Sequence, residues 1–286
     1  MKTAIELKQY AWEGAYARMR SEHHADHDPG LCCTVTAPWM GAGEQLIIRT
    51  SEIIGYPEAY LYDDHLPPAE PDGRGKSYHH TPFRWDRAAA PARLYADCPI
   101  EGQGRFSLDL RAEEDFIDIR LSLRNDLASP MGPIDWHFCV IGFECPSLAD
   151  PELERTFLFD GQQLRTLRSM TGSNRTDMYI IADADDFIPE VHLPFATGPV
   201  EAQASVVIVQ DRSGSYCAAL GFDHAYNIFS NHGNRCFHAD PYFATVAPGE
   251  EVWRHGRLYL MQGTAEDAFQ RYRNDFVTQA QIGIGQ

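Results

Sequence analysis

Residues 104–125 read GRFSLDLRAEEDFIDIRLSLRN. Apolar residues alternate with polar ones on both sides of the acidic turn 113–115, and a period of two is typical of strands with one buried face. The segment therefore predicts an antiparallel hairpin. The same alternation recurs along the chain, so we expect an all-β protein. Further strands are predicted at 44–50, 136–143, 178–182, 204–210, 216–222 and 251–261.

The two ends of the chain carry different patterns. Alternation over 5–12 and again over 15–19 favours an N-terminal hairpin, with a helix as the alternative. Near the C-terminus, Thr264 can cap a first turn, and apolar residues then repeat at helical spacing. We therefore expect one closing helix, 264–278, packed on a β body.

So many short strands must bury their alternating faces against something, which favours two large antiparallel sheets packed face to face. The segment 63–75 is rich in Pro and Gly and predicts a loop. Because no linker, low-complexity tract or internal repeat divides the sequence, we predict a single domain over residues 1–286.

Composition excludes several classes of partner. The chain has 24 Lys+Arg against 41 Asp+Glu and a formal net charge of −17, so neither nucleic acid nor an anionic membrane surface is an expected partner. The N-terminus lacks the apolar core of a secretion signal, and no apolar run is long enough for a membrane helix. These features predict a cytoplasmic protein. The seven cysteines form no CxxC pair, and we interpret them mostly as small buried residues.

Chemistry is most plausible at the histidines, of which there are twelve. The densest group of metal-ligand types is His23, His24, Asp26, His27 and Asp28. Imidazole with carboxylate suits zinc, manganese or iron. A solvated polar loop is the alternative interpretation, because metal ligands usually converge from different strands.

Three further segments place histidines in informative surroundings. His79 and His80 follow the glycine-rich loop, and as strand neighbours only one of them can enter a shared pocket. His137 lies in a very apolar strand, so it must be hydrogen-bonded or functional, either as a core histidine or in catalysis. His238 and Asp240 would share one strand face, as base and orienter, as two ligands, or as a surface pair.

The order of these segments resembles the galactose mutarotase-like β-supersandwich, the fold of aldose 1-epimerases and of related polysaccharide lyase and glycoside hydrolase domains. In that family a glycine-containing loop delivers a histidine shortly before a tryptophan, which is similar to 75–85. A hairpin ending in Asn, a turn with Pro and a strand with a second histidine follow, as in 119–138. The last similar segment, 236–260, includes a Pro-Gly-Glu turn before the closing strand.

The resemblance implies a carbohydrate-active enzyme with acid–base chemistry. Where the epimerases place a glutamate base, this sequence offers His238 and Asp240. If the family roles apply, His137 protonates the ring oxygen, His79 or His80 holds it, and Asp240 or His238 removes the anomeric hydroxyl proton. No cofactor is needed for this epimerase or isomerase reaction, and the substrate is a small sugar or an oligosaccharide.

Other functions remain open from the sequence. A lyase would use the same groups for β-elimination on a uronate, and a metal-dependent enzyme would gather His79, His137 and His238 around one divalent ion. A non-catalytic binding module would instead stack exposed aromatic rings on sugars, and a structural or regulatory protein is the remaining alternative. Expected substrate-binding residues are His80, Arg74, Trp85, Trp136, Arg235 and Tyr242. Oligomeric state is not predicted.

Overall fold

The structure is a computed structural model, and it describes residues 4–11, 31–56, 59–63, 77–78, 83–86, 92–171, 177–181, 196–198, 200–231 and 235–277. Regular structure in these residues is dominated by strands. The strands are β1 (Glu6–Gln9), β2 (Cys32–Thr36), β3 (Leu46–Arg49), β4 (Ile53–Tyr56), β5 (Ala59–Asp63), β6 (Ser77–Tyr78), β7 (Arg93–Ile100), β8 (Gly104–Ala112), β9 (Phe116–Asn125), β10 (Ile134–Trp136), β11 (Cys139–Ile141), β12 (Thr156–Phe159), β13 (Leu164–Thr166), β14 (Asp177–Ile180), β15 (Ala196–Thr197), β16 (Val206–Gln210), β17 (Tyr216–Phe222), β18 (Ala225–Asn231), β19 (Cys236–Phe243) and β20 (Glu251–Gln262).

These strands form two sheets. The first sheet has the order β1-β2-β3-β11-β19-β10-β4-β5-β6, with β18 beside β19, β14 beside β18 and β15 beside β14. The second sheet has the order β13-β12-β16-β17-β20-β9-β8-β7. Two pairings, β5 with β6 and β14 with β15, are parallel, and the other strand pairings are antiparallel. The prediction of an all-β protein with two mainly antiparallel sheets is confirmed.

The hairpin predicted from 104–125 lies near one edge of the second sheet, where only β7 lies outside it. Strands β8 and β9 pair from Gly104 with Asn125 to Ala112 with Ile117. Their inward side chains are fully buried in the core between the sheets. Trp136 of the first sheet contacts Phe106 edge to face, with ring centroids 5.4 Å apart. The alternation of apolar and polar residues in this segment is therefore explained by burial of one face of the hairpin.

The outer face of this hairpin carries an ion-pair cluster around Asp109. Arg93 donates two hydrogen bonds to the Asp109 carboxylate, at 2.6 and 2.9 Å, and Arg111 donates two more, at 2.6 and 3.4 Å. Burial alone would raise the pKa of Asp109, but the hydrogen bonds from the two guanidinium groups lower it below its ordinary value of 3.8. The charged carboxylate therefore stabilises the fold.

Substituting Asp109→Asn is expected to reduce the free energy of unfolding by about 1 kcal/mol at neutral pH, since partly exposed arginines contribute modestly. A pKa lowered in the folded state gives stability that is present above the ordinary pKa and is lost as the pH falls below it. The difference between the two proteins should thus vanish in acid. Urea unfolding followed from neutral to acidic pH measures this, and a difference that does not change with pH would contradict it.

Helix α1 (Leu167–Thr171) is short, and helix α2 (Ala265–Tyr272) is the predicted closing helix. Thr264 caps α2 and forms a capping box with Asp267. Phe269 and Tyr272 pack on the outer face of the second sheet, against apolar residues of β16 and β17. The helix continues as a π-helical turn, Arg273–Val277, close to the predicted end.

Two predicted elements differ in detail. Residues 5–12 do contain a strand, β1, but it pairs with β2, and the second arm expected at 15–19 lies outside the described residues. The strand expected over 136–143 is broken at His137 and Phe138 into β10 and β11. Most of the loop predicted at 63–75 also lies outside the described residues.

All seven cysteines belong to the described part of the chain, where they are buried, as predicted, and no disulfide joins them there. In the same part of the chain, no helix has the length and apolar character needed to cross a membrane.

Candidate active site

The break in the predicted strand positions the site. Strands β10 and β11 both pair with β19 on one side, and with β4 and β3 respectively on the other. At the break, the backbone N–H of Phe138 donates to Asp240 Oδ1 at 2.9 Å. The Asp240 side chain thus takes the place of a backbone carbonyl acceptor. The Phe138 N–H keeps a hydrogen bond although the backbone hydrogen bonding between the strands is interrupted.

Alternation along the strands places the polar residues together. Trp136 and Phe138 belong to the core between the sheets, so Asp135 and His137 point to the opposite face of the first sheet. On β19, His238 and Asp240 share that outer face. Strand β18 adds Tyr226 at a register shift between its neighbours, and such bulges redirect a side chain.

These five residues, Asp135, His137, Tyr226, His238 and Asp240, are called the buried network here. His137 Nε2 lies 2.9 Å from Asp135 Oδ2, and His137 Nδ1 lies 4.0 Å from Asp240 Oδ2. The Tyr226 hydroxyl donates to Asp135 and lies 3.3 Å from His137 Nε2. His238 Nδ1 lies 3.4 Å from Asp240 Oδ1. Asp240 therefore stands between two imidazole rings.

Burial makes the charges of this network interdependent. Each residue of the network is at most 2% exposed. Burial alone would lower the pKa of His137, but Asp135 and Asp240 raise it to about 9. Burial likewise opposes charge on His238, whose pKa is raised to about 10 by Cys236 and Asp240. Burial raises the pKa of Tyr226 well above its usual range. The carboxyl groups of the network thus favour the protonated form of both imidazole rings, whereas burial favours the neutral form of the phenol.

A second set of polar groups adjoins His238. Cys139 pairs in register with His238, and Cys236 lies two residues before His238 on the same strand face. A hydrogen bond from Cys139 lowers the pKa of the Cys236 thiol to about 6, while burial raises the pKa of Cys139. Glu52 is also buried and accepts a hydrogen bond from Arg49.

Donor atoms of these residues are close enough for a metal ion. One donor atom each from Cys139, Cys236 and His238 lies within 4.8 Å of the other two, and the same holds for Glu52, His137 and His238. His238 belongs to both groups. Its ring stacks on Phe229, with centroids 3.9 Å apart, and this contact fixes its orientation.

The structure brings together three of the residues singled out from the sequence, namely His137, His238 and Asp240. Three others, His79, His80 and Arg74, lie outside the described residues, as does the group His23, His24, Asp26, His27 and Asp28. Their roles stay predictions.

The remaining expected substrate-binding residues lie apart from the network or in the core. Trp85 and Trp136 are buried and donate through Nε1 to the carbonyl groups of Cys32 and Thr50. The ring of Tyr242 is buried and lies against His224, whereas Arg235 is exposed and lies over Phe143. This placement favours packing for the two tryptophans, and sugar contact by these residues stays a prediction.

Sequence reasoning did not single out Asp135 as a site residue. Its signal was available, because Asp135 and His137 are two residues apart and therefore share a strand face, as His238 and Asp240 do. The contribution of Tyr226 to the network depends on a register shift with no clear sequence signal. Glu52, Cys139 and Cys236 come together only through strand pairing.

No protein-family model matches the sequence, and no curated protein sequence matches it significantly. Among solved structures, the chain is similar to the galactose mutarotase related enzyme from Lactobacillus acidophilus, with 8% identity, a TM-score of 0.41, and coverage of 84% of this chain and 97% of that one. It is also similar to the Slr1438 protein from Synechocystis sp. PCC 6803, with 11% identity, a TM-score of 0.41, and coverage of 82% and 93%.

A third similar structure comes from Escherichia coli K12 and is described, provisionally, as an aldose 1-epimerase. It has 12% identity and a TM-score of 0.36, with coverage of 63% of this chain and 68% of that one. Structures of the type that the sequence resembles are thus among those similar to the chain. At such low similarity they assign no activity, and the activity proposed below follows from the site's own geometry.

Proposed function

We propose that this protein is a carbohydrate epimerase that interconverts the anomers of an aldose by acid–base chemistry in the buried network. The observation that carries the proposal is the position of Asp240 Oδ2, which lies 4.0 Å from His137 Nδ1 while Asp135 holds the opposite nitrogen of the same ring. A proton donor and a proton acceptor therefore face one small volume.

Anomer interconversion needs this arrangement. The ring oxygen and the anomeric hydroxyl of an aldose share one carbon, so the group that protonates the first and the group that deprotonates the second must lie close together. In the proposal, His137 donates to the ring oxygen and Asp240 accepts the hydroxyl proton. The ring opens and closes again on the other face. Asp135 and Tyr226 orient His137 through their contacts with Nε2.

A neutral aldose suits the site better than a uronate, because the carboxyl groups of Asp135 and Asp240 already lie beside the two imidazole rings. The buried guanidinium of Arg49, which is 3% exposed, is likewise paired with Glu52. Because the network is buried in this structure, entry of the sugar requires that the site opens.

Polarimetry of freshly dissolved α-anomers of hexoses and pentoses tests the proposal. We expect the protein to accelerate the approach to anomeric equilibrium in a saturable manner. The control variant is Asp118→Asn, which removes a second His–Asp pair, His255 Nε2 to Asp118 Oδ1 at 2.7 Å, on the outer face of the second sheet. This variant should retain activity. Sugar binding without any catalysis would contradict the proposal and indicate a binding module, and turnover of uronate oligosaccharides alone would indicate a lyase.

A further inference from the structure

We propose that Cys139, Cys236, His238 and Glu52 bind one divalent transition-metal ion, most favourably Zn²⁺. This set, called the thiol site here, shares His238 with the buried network but does not include the proton-transfer pair His137 and Asp240. The proposal does not rest on the proposed function, because an ion can bind at the thiol site whether or not the network is catalytic.

Strand pairing brings the thiol site together from three parts of the first sheet. Cys139 on β11 is the register partner of His238 on β19, and Cys236 precedes His238 by two residues on the same face. Glu52 follows β3, and its backbone N–H donates to the carbonyl of His137 at 3.1 Å. The four side chains come from three segments that are far apart in the sequence, at residue 52, residue 139 and residues 236–238.

Three of the four donor atoms lie close to the spacing that zinc requires. With bonds of about 2.0 Å to nitrogen or oxygen and 2.3 Å to sulfur, tetrahedral ligand atoms lie roughly 3.3–3.8 Å apart. The atoms of Cys139, Cys236 and His238 already lie within 4.8 Å of one another, whereas Glu52 lies within that distance of His238 and His137. Rotation of the Glu52 side chain toward the two cysteines would complete a four-coordinate site. Two thiolates with an imidazole and a carboxylate are a donor set that suits Zn²⁺.

The surroundings of His238 give independent support. His238 is 2% exposed, and its Nδ1 forms no hydrogen bond, although Asp240 Oδ1 lies 3.4 Å away. Metal-bound imidazoles commonly have a carboxylate beside the nitrogen that is not a ligand. Asp240 would have this position if Nε2 of His238 were the ligand atom. Arg49 pairs with Glu52 and offsets the excess negative charge that two thiolates would bring.

Metal analysis of the purified full chain, with Co²⁺ substitution, tests the thiol site. We expect one zinc per chain, and in the cobalt form a thiolate-to-cobalt charge-transfer band with the intense visible bands of tetrahedral Co²⁺. Cys236→Ala and His238→Gln should bind the metal at least roughly 100-fold more weakly in competition with a chelator. The matched control is Cys32→Ala, because Cys32 is buried in the same apolar cluster as Cys139 but two strands away.

Two outcomes would overturn the proposal: a metal-free protein that takes up neither Zn²⁺ nor Co²⁺, or a cobalt form without the thiolate band. The band is measured on the unaltered protein, so the test holds even if a variant fails to fold. Metal binding without turnover of any aldose would contradict only the proposed function. Turnover by a protein that takes up no metal would contradict only the proposed thiol site.

Discussion

Replacing Asp240 with alanine is expected to lower the free energy of unfolding by about 3–5 kcal/mol, because it breaks a buried charged network and leaves its partners without compensation. Asp240 is fully buried and is shared by His137, His238 and the backbone N–H of Phe138. With alanine, that N–H would be buried without a hydrogen-bond acceptor at the point where β10 and β11 separate. The two imidazole rings would at the same time lose their common carboxylate.

Asparagine at the same position separates these contributions. The side-chain carbonyl of Asp240→Asn can still accept from the Phe138 N–H, so this variant loses the carboxyl group but keeps the hydrogen bond. We expect it to lose about half as much stability as the alanine variant, roughly 1.5–3 kcal/mol. Chemical denaturation at neutral pH measures both. For comparison, Asp118→Ala removes a carboxylate paired with the part-exposed His255 and should cost about 1 kcal/mol. Equal losses for Asp240→Ala and Asp118→Ala would show that Asp240 does not organise the break.

The regular parts of the fold could be predicted from the sequence, because burial of one strand face requires apolar and polar residues to alternate along the strand. In the hairpin of β8 and β9, every second residue is apolar and points into the core. The capping pair Thr264 and Asp267 lies within four residues and predicts the start of the closing helix. Such signals involve neighbours in the chain. They hold wherever one face of an element is buried and the other is not.

The site depends on contacts that are distant in the sequence. The break after Trp136 was not predictable, since the backbone N–H of Phe138 donates there to a side chain 102 residues away. The pairing of Asp135 with His137 could have been predicted from their spacing, as that of His238 with Asp240 was. The approach of the two pairs to each other could not, because it follows from the pairing of β10 and β11 with β19.

The substitution His137→Gln is expected to reduce kcat for anomer interconversion by about 10²–10⁴-fold, the usual contribution of a positioned acid–base group. Glutamine approximates the length of the side chain and can still donate to Asp135, but it cannot transfer a proton. KM should change much less than kcat, because His137 transfers its proton in the transition state and contributes little to binding of the sugar in its ground state. Initial rates by polarimetry over a range of sugar concentrations give both constants.

A matched histidine distinguishes this effect from general damage to the protein. His255→Gln alters the other well-formed His–Asp pair in the described part of the chain, which lies on the outer face of the second sheet and against Phe276. This variant should have kcat and KM within about twofold of the values of the original protein, since His255 is remote from the network. Both variants are compared by unfolding at the assay temperature, so that rates refer to folded protein. If His137→Gln retained full kcat while folded, His137 would be a core histidine, and its two carboxylate contacts would serve stability alone.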